Sequence, residues 1–303
     1  MAFNEQYRRQ VTLLMRILPL VAQEDCFALK GGTAINLFVR NMPRLSVDID
    51  LTYLPVQPRV ESLAAISTAL KRIAQRVQKA IPGSKLIEQH FEGNLVKLQA
   101  RADGVQIKID VTPVLRGCVY PPALMSVSDA VEDAFGYAEI QVTSFPDLYA
   151  GKIVAALDRQ HPRDFFDVRD LLANEGIDDN LRRAFIVYIL SHHRPMSEVL
   201  APPRKDIANE YARGFVGMTE NEVPLDDLLA ARESIIEKIV GQMPKEHRAF
   251  LISFEEGAPK WDLLGVDGAA NLPAVKWRQQ NLDKLPAEKR KALVARLEEA
   301  LSD

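Results

Sequence analysis

Cysteine is nearly missing from this chain: Cys26 and Cys118 are the only two in 303 residues, each beside apolar neighbours. Two cysteines beside apolar residues read as buried free thiols ahead of a disulfide or a zinc site. Histidine is scarce as well, five residues without ligand spacing, which argues against imidazole-based metal centres. No run approaches the ~18 apolar residues of a membrane span, and the opening MAFNEQYRRQ has no apolar stretch resembling a secretory leader. The expectation is a cytoplasmic protein with no membrane partner. There is also no Walker-type phosphate loop, no G-x-G-x-x-G turn and no defensible Ser-His-Asp order. A basic surplus is lacking too. The net charge of −3 does not suit a general nucleic-acid binder, although local patches matter more than the total. Hydrophobic residues make up 47 %, ample for a core, and the length suits two domains.

What the chain does have begins at residues 30–50, KGGTAINLFVRNMPRLSVDID. Gly31 and Gly32 permit positive φ and close backbone approach to a ligand. Thr33 stands where it could cap a helix over Ala34–Arg40, and a helix N-terminus is a ready anion site. A strand follows, Ser46–Leu54. Residues i and i+2 of a strand share a face, so Asp48 and Asp50 project together, opposite Val47, Ile49 and Leu51. Two like charges on one patch repel, and a cation that neutralises them is the usual reason to keep them. Mg²⁺ prefers oxygen ligands, and two ions about 3.5–4 Å apart can stabilise both oxygens of a phosphoryl displacement. A bare D-x-D is more often a solvated strand or turn; the Gly-Gly-Thr ahead of it is what lends it weight.

A third carboxylate lies downstream. Val105–Val114 alternates as a strand, with Gln106, Lys108, Asp110 and Thr112 on one face and Val105, Ile107, Ile109 and Val111 on the other. Asn94–Ala102 reads as its hairpin partner through the Asp103-Gly104 turn signal. Pairing beside the Asp48/Asp50 strand would complete a triad in which Asp110 helps deprotonate an attacking hydroxyl. The plain alternative is an exposed Lys108–Asp110 ion pair. Further on, residues 146–172 read PDLYAGKIVAALDRQHPRDFFDVRDLL, two helices broken at Pro162. Lys152 could place its ammonium on a triphosphate. Gly151, costing about 1 kcal/mol in a helix interior, suggests a close approach. Asp164 reads foremost as a capping or surface residue complementing a helix dipole, whereas Asp167 serves equally well at a surface or in a site.

These runs together resemble the AbiEii/AbiGii nucleotidyltransferase toxin family. The resemblance rests on Gly32-Thr33 with Asp48 and Asp50, on Lys108-x-Asp110, on Asp147-x-x-x-Gly151-Lys152, and on Arg163-Asp164 with Asp167, in that order over about the first 175 residues. Threonine replaces the serine common in the first motif and keeps the hydroxyl. The resemblance implies an α+β fold, with a polymerase-β-like mixed-sheet domain over residues 1–160 and a mainly helical domain over 161–303. It implies a Mg²⁺-dependent toxin of a toxin–antitoxin or phage-defence system that transfers a nucleoside monophosphate from an NTP to an RNA hydroxyl, with a tRNA 3′ end as the expected acceptor. Asp48, Asp50 and Asp110 would hold metal. Gly31, Gly32 and Thr33 would hold the triphosphate, and Lys152 would screen phosphate charge. Asp167 would orient Lys152 or contact the nucleoside. A cognate antitoxin is a possible partner, though no inhibitory surface is visible. Two other classes fit the same residues: protein nucleotidylation on Ser, Thr or Tyr, and a non-catalytic NTP-binding module.

The remaining pattern places helices over Glu5–Val21 and Arg59–Ala80 and strands over Cys26–Lys30, Lys85–Phe91 and Ala138–Thr143. Val119–Phe135 looks less regular. After Pro146 the chain reads as helical, over Pro146–Arg159, Arg163–Asn174, Asp179–His192, Ala208–Phe215, Leu225–Val240, Lys245–Glu255 and Pro286–Leu301. The third and fourth motifs would line a cleft between the domains. Basic patches stand at Lys71, Arg72, Arg76 and Lys79 and around Trp277. A solvated helix face is the simpler account of each, with Trp277 as a core anchor.

Overall fold

The computed structural model describes residues 3–302. It divides into two compact units, one comprising the chain up to Ser144 with Val216–Glu222, the other Phe145–Phe215 with Val223 onward.

The first unit is built on a seven-stranded mixed sheet. Its strands are β1 (Phe27–Lys30), β2 (Asp48–Tyr53), β3 (Lys85–Phe91), β4 (Asn94–Ala102), β5 (Val105–Arg116), β6 (Ala123–Ser126) and β7 (Glu139–Val142), in the order β3-β4-β5-β2-β1-β7-β6. β2 runs parallel to β5 and antiparallel to β1, while β1 runs parallel to β7. Alternation dictates the faces. Ile107, Ile109 and Val111 of β5 are buried with Ile49 and Leu51 of β2. Two amphipathic helices supply the facing apolar layer: α1 (Glu5–Val21) packs on β5, and α3 (Arg59–Ala80) on β4. The α1 stripe of Val11, Leu14, Leu18 and Val21 is wholly buried, and the Asn4 side chain caps the helix by accepting from the Gln6 amide at 2.8 Å. The β4–β5 hairpin turns through Asp103 and Gly104, both at positive φ, the pair of dihedrals a two-residue primed turn requires. A buried Glu24 accepts from Arg72 and Arg76 of α3, at 2.5 and 2.7 Å, tying the helix to the end of α1.

Between β1 and β2 the helical run starts at Gly31, three residues before the Ala34 start that the sequence suggests. It is α2 (Gly31–Ala34), continued as a π-turn over Ile35–Val39. Lys30 holds the N-cap position, so Thr33 lies inside the helix and does not cap it. In the stretch expected to be irregular, β6 forms an exposed edge strand, and α4 (Asp129–Phe135) buries only Val131. Both are too short to show a period.

The second unit is helical: α5 (Phe145–Arg159), α6 (Pro162–Asn174), α7 (Asp179–Leu190), α8 (Met196–Leu200), α9 (Ala208–Gly214), α10 (Leu225–Ile236, ending in a π-turn over Glu237–Gly241), α11 (Lys245–Glu255), α12 (Pro273–Asp283) and α13 (Ala287–Ser302). α5 packs on α6 and α7, and α10 on α6. Phe250 and Phe254 of α11 close around Trp261. α8 and α12 escape sequence reading because one has five residues and the other buries only Ala274, Val275 and Leu282. The division falls at Ser144 and not at 160, because the apolar face of α5 is covered by α6 and α7. Val216–Glu222 returns to the first unit, where the Leu45 amide donates to the Met218 carbonyl at 2.8 Å. Among the described residues no helix is long and apolar enough to cross a membrane.

Ile109 is fully buried at the centre of the sheet. Ile109→Ala should cost about 2–5 kcal/mol, seen in urea titration as a lowered midpoint at unchanged slope.

Candidate active site

Strand register lays charge across the sheet in one row. Lys30 of β1 stands opposite Asp50 of β2, Asp50 opposite Asp110 of β5, and Asp110 opposite Lys97 of β4. Asp48, two residues along, stands opposite Lys108. Cross-strand partners share a face, so the three aspartates expected to act together do occupy one face, each beside a lysine. Asp110 pairs with Lys97 of the neighbouring strand, not with Lys108 of its own. Lys30 donates to Thr112 Oγ1 at 2.9 Å. Burial lowers its pKa, and the charges of Asp50 and Asp110 oppose that shift. Among the described residues no three Asp, Glu, His or Cys side chains converge as a ready-made metal ligand set; here Asp110 lies against the Lys97 ammonium.

The glycine turn is fitted to this face. Gly31 has φ +74°, and a Cβ on it would lie 2.7 Å from Asp50 Oδ2. Both facts require glycine. A Cβ on Gly32 would lie 2.7 Å from Arg44 Nη2 and 3.0 Å from Ser46 Oγ. Thr33 is 1 % exposed; its hydroxyl donates to the Asp48 carbonyl and lies 3.0 Å from Ser46 Oγ. The Thr33 hydroxyl thus ties the glycine turn to the start of β2, where Asp48 opens the strand. Arg44 and Ser46, both buried, complete this packing. No sequence signal marks them, because a charged and a small polar residue just before a strand read as loop.

In the second unit Lys152 is only 6 % exposed. Its ammonium lies 2.9 Å from Asp164 Oδ1 and 2.9 Å from Asp167 Oδ2. Arg159 donates to both oxygens of Asp164. Asp164 is 1 % exposed, which corrects the capping and surface reading; the α6 cap is His161, whose Nδ1 accepts from the Arg163 amide at 3.2 Å. Burial alone would raise the Asp164 pKa, but the Lys152 and Arg159 charges outweigh it and hold the carboxyl far below the usual range. Asp167 shares the Lys152 ammonium with Asp164 and is likewise buried. The Gly151 approach is made by Tyr188 of α7: a Cβ there would lie 3.1 Å from the ring. The Tyr188 hydroxyl donates to Asp147 Oδ1 at 3.1 Å. One tyrosine thus accounts for both Asp147 and Gly151, and nothing in the sequence links it to them.

Of the basic patches, Arg72 and Arg76 are turned to Glu24. Trp277 is 54 % exposed and so is not a core anchor. Beside it, Arg278 donates to the His192 and Arg194 carbonyls at 2.9 and 3.1 Å. The thiols are free as expected, but half-buried, and burial pushes Cys26 up to about 11.

Carboxylates gathered on one sheet face against a glycine turn are the equipment of phosphoryl-transfer chemistry, and the class is that of the nucleotidyltransferases. The family model "Nucleotidyl transferase AbiEii toxin, Type IV TA system" matches residues 12–281, so the chain belongs to that family and is a nucleotidyltransferase toxin of the type IV toxin–antitoxin class. The fold is shared with MenT4, a nucleotidyltransferase toxin of Mycobacterium tuberculosis H37Rv. The TM-score is 0.57 over 92 % of this chain and 94 % of that one, at 16 % identity. No curated protein matches the sequence.

Because the Asp164 pKa is depressed on folding, its charge contributes stability above the unfolded carboxylate value and loses it as pH falls through that value towards the folded one. The stability gap between wild type and Asp164→Asn should be full above about pH 5 and shrink below about pH 4. Denaturant titrations from pH 3 to 8 would show this; a gap independent of pH would mean that the Asp164 charge does not stabilise the fold.

Proposed function

We propose that this toxin transfers a nucleoside monophosphate from an NTP to the 3′-hydroxyl of an RNA, tRNA being the favoured acceptor, with Mg²⁺ as cofactor. The observation that carries this reading is the in-register pairing of Asp50 and Asp110 on parallel strands, with the Gly31 backbone against Asp50. The donor chemistry fits: three carboxylates and no thiolate or imidazole suit a hard cation. Asp48, Asp50 and Asp110 would hold it, turning from their lysine neighbours. When bound, Mg²⁺ supplies charge neutralisation at the phosphates and favours the ionised form of the attacking hydroxyl.

The chain's own residues do the rest. The Gly31 and Gly32 amides, at the start of a helical run, offer donors to the triphosphate. Thr33 keeps Asp48 aimed through its backbone. Asp110 accepts the proton of the acceptor hydroxyl or holds that hydroxyl in place. Asp164 and Asp167 hold the Lys152 ammonium in one orientation, and its assigned part would be to screen triphosphate or pyrophosphate charge. A cognate antitoxin follows from the type IV family. A protein hydroxyl as acceptor is a second reading, favoured by one observation: Arg72 and Arg76, half of the first basic patch, are occupied by Glu24.

Incubation with Mg²⁺, total RNA and each α-³²P-labelled NTP tests these readings. A tRNA-sized labelled band is expected for one or more NTPs, reduced on the order of 10²-fold or more in Asp48→Ala. Lys152→Ala should slow transfer and raise the NTP requirement. A labelled protein in place of labelled RNA would transfer the assignment to protein nucleotidylation, and full labelling by a folded Asp48→Ala would remove the carboxylate face from the chemistry.

A further inference from the structure

The three lysines that neighbour the aspartates are not alike. Lys30 is held at its far end by Thr112. Lys108 is exposed and faces Asp48 across the strands. Lys97 differs from both: it is half-buried, stands in register with Asp110, and its ammonium contacts Asp110 Oδ2. Asp110 in turn lies beside Asp50, so the carboxylate pair has an ammonium at each flank. A tethered ammonium occupying a carboxylate oxygen is chemically a monovalent cation at high local concentration.

We propose that Lys97 is a built-in competitor for the divalent cation at Asp110, and that it sets the metal concentration at which the carboxylate face becomes loaded. This inference rests on the metal-site reading given above. The pair is suited to exchange. Its side chains retain 27 % and 36 % of their exposure, so water screens the attraction, and holding a long flexible lysine in one geometry offsets part of the gain. A divalent ion brings twice the charge and can bind Asp48, Asp50 and Asp110 together, so it displaces the ammonium once its concentration is sufficient. Without it, Lys97 removes the repulsion between Asp50 and Asp110, and the face stays close to neutral. The Lys152 pair in the second unit is the contrast. It is buried with two carboxylates, and opening it would strand charge away from water.

Mn²⁺ binding to the full chain, followed by the EPR signal of free Mn²⁺ without nucleotide, reads this directly. Lys97→Met should bind Mn²⁺ about five- to tenfold more tightly than wild type, and Lys108→Met less than about twofold more tightly. In an Asp110→Asn background the Lys97→Met gain should vanish, because the competition is for that carboxylate. In metal-free buffer Lys97→Met should melt below wild type and recover more on Mn²⁺ addition. Equal affinity for wild type and Lys97→Met would overturn the competitor role while leaving the metal site standing. An equal gain in Lys108→Met would also overturn it, reducing the effect to bulk charge. A wild-type chain that binds no Mn²⁺, or binds it unchanged in Asp48→Ala, would overturn the metal-site reading itself.

Discussion

Two carboxylates placed side by side on parallel strands repel each other, and much of the sheet unit can be understood from that constraint. Asp50 and Asp110 are adjacent because β2 and β5 pair in register, and they lie on the same face because side chains alternate. The buried residues opposite them, Ile49, Ile109 and Val111, lock the register: a slip of one position would turn the aspartates into the core and the isoleucines out of it. The acids are thus carried on the back of a hydrophobic core whose burial sets their register. Lysines from the flanking strands balance the charge, and a glycine turn brings backbone amides close to it.

Lys152 meets the same electrostatic problem with a different solution. On the sheet face, Lys97 and Lys108 neighbour acids that water can still reach. Around Lys152 the ammonium is almost dry and is matched by Asp164 and Asp167, with Arg159 completing the balance at the surface. Charges withdrawn from water are tolerable only when closely paired and hydrogen-bonded. The sheet face therefore keeps groups that can exchange partners, while the helical unit keeps groups fixed in orientation.

The sequence made much of this legible, for reasons that can be identified residue by residue. Alternation over Val105–Val114 is a period-two signal strong enough to assign faces, and the Asp103-Gly104 turn specifies its hairpin. The stripes of α1 and α3 are long and strictly amphipathic, so their spans emerge unaltered. What stayed hidden was contact at a distance. Tyr188 lies 37 positions beyond Gly151, and no local pattern couples them. Arg44 and Ser46 are buried by the Gly-Gly turn, an effect of packing and not of propensity. The Thr33 hydroxyl looked available for a ligand because its acceptor is a backbone carbonyl, a group that every residue carries. Asp164 looked like a helix-start acid because burial cannot be read from an acidic side chain in a first turn.

The return of Val216–Glu222 to the sheet unit bears on how such a chain can arise and change. The polypeptide passes between the units after Ser144, after Phe215 and after Glu222. Neither unit corresponds to one uninterrupted stretch of coding sequence. Recombination at a single breakpoint would hand a recipient gene an incomplete sheet unit or an incomplete helical one. A transfer of either unit on its own therefore needs at least two breakpoints.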